Sequence, residues 1–521
     1  MKNYGIDKKI RKEKFLYSVA KIQHFLKQYS TKDKKMREYH KDTYNRYFVN
    51  PTFFLHKDDY SIPKDKYCIP TCLLTSDLIL REDIPKLKKG LKKLIKKHYS
   101  HKFLGGHHSI EEVLNSVENM DDTQTWRYTG IDAGRFDFET NKKLNRYISH
   151  FDLHIKNVNA SYLAVEIHIY LTDLCKKDFQ EIINDDVKSP KTYIISTIKR
   201  TRKKSGGENT LSVCNYNEGL QKSDNIYEKM VSLKWMFYQE LQKFFPTVLH
   251  QLDSAPPSIL LYKTNIDYND KKADHFWFSL GVEKYNGQFI DPSQKLFFIW
   301  NLSGRYSKGS SNEMFYIYND KKIECEAGFH SVDYEVVYYF TRQYTHDVFR
   351  FVLLDSYNKL FGDKLIKYRA KLNRIKLNKN KLSKVLKLRY RFERDIDSYT
   401  RYCAEPIWEK SEKVISKLFD GEKIKWGYDY TYLIKSATSS MEYIQEQIEV
   451  VKKDFESKIE ILKCLVDQKN ESKSRRVNYL MLLLAIATLI FVIFPDWSKT
   501  VADFLSSSWN WLLDLLKAIK S

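Results

Sequence analysis

The sequence predicts an α+β domain followed by a long, coiled-coil-like stalk helix and a C-terminal transmembrane helix, with one or two membrane spans. Three observations support this fold class. Strand-like segments lie between Phe151 and Gly328, no Gly or Pro occurs between Gly427 and Pro495, and an uncharged apolar run begins at Val477. We expect an α+β region at 1–340, a helical region at 341–426, the stalk at 427–476, a first transmembrane helix at 477–495 and a further helix at 500–519.

The composition limits the number of domains, the kinds of partner and the cellular compartment that the chain can have. A chain of 521 residues holds two or three domains, and 42% hydrophobic and 15% aromatic residues argue against long disorder. The formal net charge of +22 favours anionic partners such as nucleotides or acidic lipid headgroups. Seven cysteines without a CxxC pair indicate reduced thiols. The basic N-terminus has no apolar core segment, so it does not resemble a signal peptide and we expect most of the chain in the cytoplasm.

The N-terminal part carries two helical patterns. Residues 7–47 place apolar side chains on one helical face, and the segment Ile84–Phe103 is a basic amphipathic helix. Lys92 and Lys93 on that helix are candidate ligands for phosphate groups. A solvated helix face is the alternative use of such lysines.

The strand-like part begins with clean alternation in "SYLAVEIHIYL" (161–171). The segments "KTYIISTIKR" and "TLSVCNY" then flank a basic, Gly-containing turn, which predicts a β-hairpin. Its tip is a candidate nucleotide or phosphate site, and an exposed hairpin tip is the alternative. From Asp333 onwards helical patterns dominate, including a basic segment at 364–399. The candidate ligand-binding side chains of the tip are Lys199, Arg200, Arg202, Lys203 and Lys204.

The stalk pattern repeats apolar residues at steps of three and four, as in a coiled coil. Such a seam packs either on its own domain or on other copies of the chain, and symmetric self-association is the simpler solution. The sequence therefore predicts a homo-oligomer. The seam consists of Met441, Ile444, Ile448, Val451, Phe455, Ile459 and Leu462.

The apolar run Val477–Phe494 contains no charge, and about 18 helical residues rise roughly 27 Å, enough for a bilayer core. Basic residues precede it, including Arg475 and Arg476, so the large N-terminal part is expected on the cytoplasmic side of a cell inner membrane. The segment at 500–519 has one polar stripe on an otherwise apolar helix. Both a second span and an amphipathic helix lying in the interface fit that pattern.

The segments "YDYTYLIKSATSSMEYIQEQIEVVKKDFESKIEILKCL" and "SRRVNYLMLLLAIATLIF" resemble the stalk entry and pore helix of the CorA family of divalent-cation channels. The resemblance covers the C-terminal third and implies five chains around a pore. It places Asn478, Met481 and Leu484 towards that pore, and Ala485 and Thr488 share the helical face of Asn478 and Met481. Ordinary helix packing is the alternative role of this face.

The chain departs from the family pattern where the family has Gly-Met-Asn, because this sequence reads "FPDWSKTVADF" there. Some CorA-like proteins are membrane effectors of type III CRISPR immunity, gated by nucleotide second messengers. The resemblance therefore implies an oligomeric channel, with a nucleotide ligand and a divalent cation as the expected ligands and membrane lipid as a partner. No stable nucleic-acid partner and no protein metal site are expected.

Two other classes of function also fit the sequence. One is a membrane-anchored nucleotide- or nucleic-acid-binding protein without conductance, and the other is an ordinary metal-ion transporter. The sequence contains no P-loop, dinucleotide fingerprint, HExxH or GxSxG motif, so we expect no enzyme activity and no catalytic residues.

Overall fold

A computed structural model describes most of the chain and divides it into two compact units. Unit 1 comprises residues 1–364 and 396–446, and unit 2 comprises residues 365–395 and 447–521. The described residues are 6–30, 32–49, 60–101, 110–118, 130–138, 141–158, 161–184, 191–195, 212–216, 218–252, 254–267, 270–280, 287–290, 296–300, 313–319, 333, 336–337, 346–403, 430–493, 500–504 and 506–507.

Strands and helices alternate irregularly along unit 1, and unit 2 is helical. The described strands are β1 (Cys68–Leu80), β2 (Tyr99–His101), β3 (Gly130–Phe136), β4 (Ile148–Asn157), β5 (Tyr162–Leu171), β6 (Lys191–Ile195), β7 (Ser212–Tyr216), β8 (Ser258–Thr264), β9 (Gly287–Ile290), β10 (Leu296–Trp300) and β11 (Glu313–Asn319). The described helices are α1 (Ile6–Ser30), α2 (Lys34–Tyr44), α3 (Ile84–His98), α4 (Ile110–Glu118), α5 (Lys142–Asn145), α6 (Asp173–Asn184), α7 (Glu218–Leu241), α8 (Val248–Gln251), α9 (Asp274–Ser279), α10 (His346–Arg374), α11 (Leu382–Cys403) and α12 (Tyr430–Ile493).

A nine-stranded sheet forms the centre of unit 1, in the order β2-β3-β4-β5-β1-β8-β11-β10-β9. Neighbouring strands are antiparallel except β8 and β11, which are parallel. Strand β1 lies at the middle and is buried along nearly its whole length, as its largely apolar sequence favours. The predicted hairpin segments pair separately as β6 and β7, and the alternating segment 161–171 forms β5.

The hydrophobic core lies on one face of this sheet, beneath α3, α6 and α7. Leu91 of α3, Phe179 of α6 and Phe237 of α7 are fully buried there. Helix α3 approaches the chain after α7 so closely that a Cβ on Gly90 would stand 2.2 Å from the carbonyl oxygen of Phe244. Only glycine fits at that contact, which brings the apolar side of α3 against the core.

A polar network ties β5 to the helices of unit 1. The Tyr162 hydroxyl lies 2.9 Å from that of Tyr357 on α10 and 2.8 Å from the Ser398 hydroxyl on α11. Tyr399 donates to the Asn358 side chain at 2.8 Å, and Asn358 donates to the carbonyl of Ala437 on α12 at 3.0 Å. These bonds satisfy hydroxyl and amide groups that burial would otherwise leave without partners.

Unit 2 is a helical assembly in which parts of α10 and α11 pack against α12. The Phe455 ring stacks on Phe392 with ring centroids 5.0 Å apart. The stalk seam is buried at Ile448, Phe455 and Leu462 against this chain's own helices. Self-association is not needed to cover that seam, so the homo-oligomer stays a prediction without support from it.

The predicted transmembrane helix is wrong. Among the residues that the structure describes, no helix combines the length and the apolarity needed to cross a bilayer. The predicted fold class with one or two spans and the predicted inner-membrane localisation are corrected accordingly, and the observed architecture is mixed α/β.

Candidate anion-binding site

The two predicted ligand-binding groups do not come together in the described structure. The hairpin-tip candidates from Lys199 to Lys204 lie outside the described residues. Lys92 and Lys93 lie on the exposed side of α3, opposite the stripe that packs on the core. For those two lysines, the geometry is that of a solvated helix face.

The predicted pore residues lie near the end of α12. Asn478, Met481, Leu484, Ala485 and Thr488 are all exposed. The Thr488 hydroxyl donates to the carbonyl of Leu484 at 2.7 Å, so its hydrogen-bonding capacity is used within its own helix. A pore needs a membrane span, and the pore-lining role of these residues therefore stays a prediction.

A basic cleft in unit 2 is the strongest candidate site. The cleft has a volume of about 720 Å³ and is formed by the last turn of α10, the following 3-10 turn and the first half of α11. Ile375 and Leu388 give it an apolar floor, and Asn380 and Ser383 add neutral polar groups. Six lining side chains are cationic, namely Lys371, Arg374, Lys381, Lys384, Lys387 and Arg391.

Local sequence creates the bend that brings these six cations together. Helix α10 ends at Arg374, and the Asn378 side chain accepts a hydrogen bond from the Asn380 backbone at 3.1 Å. The Lys381 backbone donates to the carbonyl of Asn378 at 2.8 Å, which closes the turn before α11 begins. Asparagine suits such positions because its short side chain bonds to the backbone two residues further on.

The cleft is electrostatically unbalanced. None of its described lining residues is acidic, and no ion pair joins its six cations to residues in the described ranges. Basic residues elsewhere on the same helices do have acidic partners: Arg369 lies 2.9 Å from Asp454, and Arg389 lies 2.6 Å from Glu393. The cleft therefore carries positive charge without a described acidic partner, which favours an anion there.

A second group of charges lies in unit 1, on the face of β3, β4 and β5 opposite the hydrophobic core. The strand register places Asp132 beside His154 and His154 beside Glu166. Among the described residues, this group contains equal numbers of carboxylates and strong cations, namely Asp132, Asp152, Glu166, Arg135, Lys156 and Arg350.

The pairings in this second group are specific. Arg135 donates to both carboxylate oxygens of Asp152, at 2.8 and 3.1 Å. Burial, and then the neighbouring charge of Asp152, raise the pKa of Asp132 to about 8, and His154 Nδ1 lies 3.5 Å from its carboxyl. Burial also lowers the pKa of Lys156, although the charges of Glu166 and Asp132 oppose that shift. The carboxylates and cations of this network therefore lie close to one another, which offsets part of the cost of burying them.

Metal ligation finds no support in the described geometry. Within the ranges that the structure covers, no three or more His, Cys, Asp or Glu side chains are arranged to hold a metal ion.

Comparison of the chain with protein-family models, curated proteins and solved structures gives no match.

Sequence reasoning missed the cleft although its signal was visible. The sequence predicts that 364–399 is basic and helical but assigns it no ligand, although its basic residues recur at 384, 387 and 391, with steps of three and four. That spacing places them on one side of α11. The missing information was the bend after Arg374, which adds the basic end of α10 to the same surface.

Proposed function

We propose that the protein is a receptor for a nucleotide-type ligand, whose phosphate groups bind the basic cleft. The single observation that carries this proposal is the set of six cations around one cleft without a described acidic neighbour. All six side chains are exposed to solvent, and like charges around one cleft repel one another weakly in water. A ligand with several phosphate charges removes that repulsion and gains charge-assisted hydrogen bonds.

The neutral lining residues favour a nucleotide over a simple inorganic anion. The half-buried side chain of Leu388 offers an apolar surface for a flat base, and the buried Ile375 also lines the cleft. Asn380 and Ser383 can donate to and accept from the polar edge of that base. Such a combination of an apolar surface with a few polar groups is typical of small-molecule sites. A pore needs a span, so the proposed function does not include ion conductance.

Equilibrium binding of ATP to the full chain, in EDTA and at low salt, tests the proposal. Replacing Lys384→Glu together with Lys387→Glu removes two cations and adds two repulsive charges, so affinity should fall at least about tenfold. Binding by the wild-type protein should weaken several-fold between 50 and 300 mM NaCl, because salt screens exposed charges. Pyrophosphate and adenosine, measured separately, report the contributions of the phosphates and of the base.

The matched control is Lys92→Glu with Lys93→Glu, which makes the same charge change on the exposed face of α3. This control should bind ATP as the wild type does, apart from a small long-range effect. Equal losses in both double variants would show that ATP responds only to net charge. A loss in the α3 variant alone would move the site to the helix that the sequence first suggested.

A further inference from the structure

The basic cleft shares a helix end with the contact that holds α12. The Lys458 ammonium of α12 donates to the carbonyl oxygen of Leu372 in the last turn of α10, at 2.5 Å. Leu372 is buried and lies directly after Lys371, which lines the cleft. Arg374, which also lines the cleft, is the last residue of the same helix. One helical turn therefore serves the cleft and the α12 contact together.

The charges at this helix end act against each other. The carbonyl end of a helix attracts cations, and the last turn of α10 has Lys371, Arg374 and Lys458 around it. These three positive groups act on one helical turn, and like charges gathered at one helix end repel one another. The repulsion weakens the Lys458 contact for as long as no anion compensates the cleft.

We infer that a polyanion bound in the basic cleft tightens the packing of α12 on α10 and α11 within unit 2. This inference rests on the proposed function, because it needs an anion in the cleft. The negative charge of the ligand attracts Lys458 as well as the lining cations, and so stabilises the hydrogen bond to Leu372. The contacts next to it are the Phe392–Phe455 stack and the Arg369–Asp454 pair, which would be held more firmly as α12 opens less often.

Thermodynamic linkage makes the effect reciprocal. If the ligand stabilises the docked position of α12, then the docked position of α12 increases the affinity for the ligand by the same factor. Lys458→Met keeps an unbranched side chain but removes the charge and the donor. This variant should therefore bind ATP several-fold more weakly than the wild type, although residue 458 does not line the cleft. Lys458→Arg retains both the charge and a donor and should restore the wild-type affinity.

Hydrogen–deuterium exchange of the full chain, with and without saturating ATP in EDTA, tests the coupling directly. In the wild type, ATP should slow the exchange of amides in 448–462 several-fold. Lys458→Met should show no such slowing at its own saturating ATP concentration, while Lys458→Arg should behave like the wild type. Lys463→Met, on the exposed side of the same helix, is the matched control and should also behave like the wild type.

The outcomes separate the two proposals. ATP binding without any change in the exchange of 448–462 would overturn the coupling and leave the receptor function intact. Slowing of equal size in Lys458→Met would also overturn it, because another contact would then carry the effect. Absence of ATP binding to the wild type would overturn the receptor function and the coupling together.

Discussion

At the scale of single residues, a buried carboxylate organises the connection between β1 and α8. Both oxygens of Asp77 accept backbone hydrogen bonds, from Leu249 at 2.8 Å and His250 at 3.1 Å, and the Leu78 N–H adds a third at 2.6 Å. Thr247 precedes the first residue of α8 but gives it no side-chain capping bond, so Asp77 supplies the cap from a distant strand. The carboxylate satisfies donors that a short helix leaves free.

Replacing Asp77→Ala should destabilise unit 1 by about 2–3 kcal/mol, because buried backbone N–H groups lose their acceptor. The measurement is the urea dependence of tryptophan fluorescence and circular dichroism. Asp397→Ala is the control, since that carboxylate is 62% exposed and pairs with Arg401 one turn away. Its loss should change the free energy of unfolding by less than about 1 kcal/mol. Similar losses in the two variants would contradict the capping role.

The sequence marks Asp77 as unusual but does not identify its partners. The single Asp within "CLLTSDLIL" is the one charged residue of a largely apolar strand, which is a local conflict. Resolving the conflict requires α8, whose backbone donors lie 172 and 173 residues further along the chain. Long-range pairing of a side chain with backbone groups leaves no periodic trace, which is why pattern analysis does not reveal this capping interaction.

The raised pKa of Asp132 gives a second test at this scale. Its carboxyl titrates at about 8 in the folded chain against an ordinary value of 3.8, so the folded state retains a proton that the unfolded state has lost. The contribution of Asp132 to the free energy of unfolding therefore falls as pH rises from about 4 to about 8. Asp132→Asn cannot ionise and should lack this decline.

Urea unfolding of the wild type and Asp132→Asn at pH 6, 7, 8 and 9 measures that difference. The stability of the wild type relative to the variant should fall with pH and level off above about pH 8. Because the Asp132 side chain is 37% exposed, the slope should stay below about 1.4 kcal/mol per pH unit. Parallel pH curves for the two proteins would show that burial does not control this carboxyl.

At the scale of elements, α12 shows what a heptad pattern can and cannot predict. The spacing of apolar residues indicated a long helix with one packed seam, and α12 is a continuous helix of 64 residues. The same spacing serves packing within one chain and between chains. The identity of the covering helices depends on α10 and α11, whose own apolar patterns give no information about which helix they contact.

Phe455→Ala should loosen α12 from α10 and α11, because it removes the stack on Phe392 and leaves a cavity in a fully buried position. Such truncations typically cost about 3–5 kcal/mol. Exchange of the amides in 448–462 should accelerate by at least tenfold. Ile461→Ala, at a position that is 46% exposed on the same helix, is the control and should leave that exchange nearly unchanged. Equal acceleration in both variants would mean that the seam does not hold the helix.

At the scale of the whole molecule, the net charge of +22 predicted an anionic partner but not its place. The densest basic run is the hairpin tip near Lys199, and the sequence therefore predicts a phosphate site there. The cleft cations are more dispersed in sequence, from Lys371 to Arg391, and they converge only because the chain turns after Arg374. A linear count of charges cannot detect convergence that a bend creates.

The apolar side chains at the end of α12 are not covered, which bears on whether the whole molecule associates with other copies. Six consecutive side chains from Tyr479 to Leu484 are each more than half exposed. Successive residues of a helix point about 100° apart, so apolar surface surrounds this segment on every side. Exposed apolar surface of this extent favours association.

We therefore expect concentration-dependent self-association of the full chain in aqueous buffer, measured by mass photometry and light scattering. Leu480→Glu with Leu482→Glu places charges on opposite sides of the apolar segment and should shift the mass distribution towards the single chain. Tyr443→Glu with Ile461→Glu makes the same charge change at exposed positions elsewhere on α12 and should leave the distribution unchanged. This design separates the end of the helix from its seam, because neither pair includes a buried seam residue. If the first variant keeps the wild-type distribution, a different surface mediates self-association; if the wild type is a single chain at every concentration, the predicted homo-oligomer is wrong.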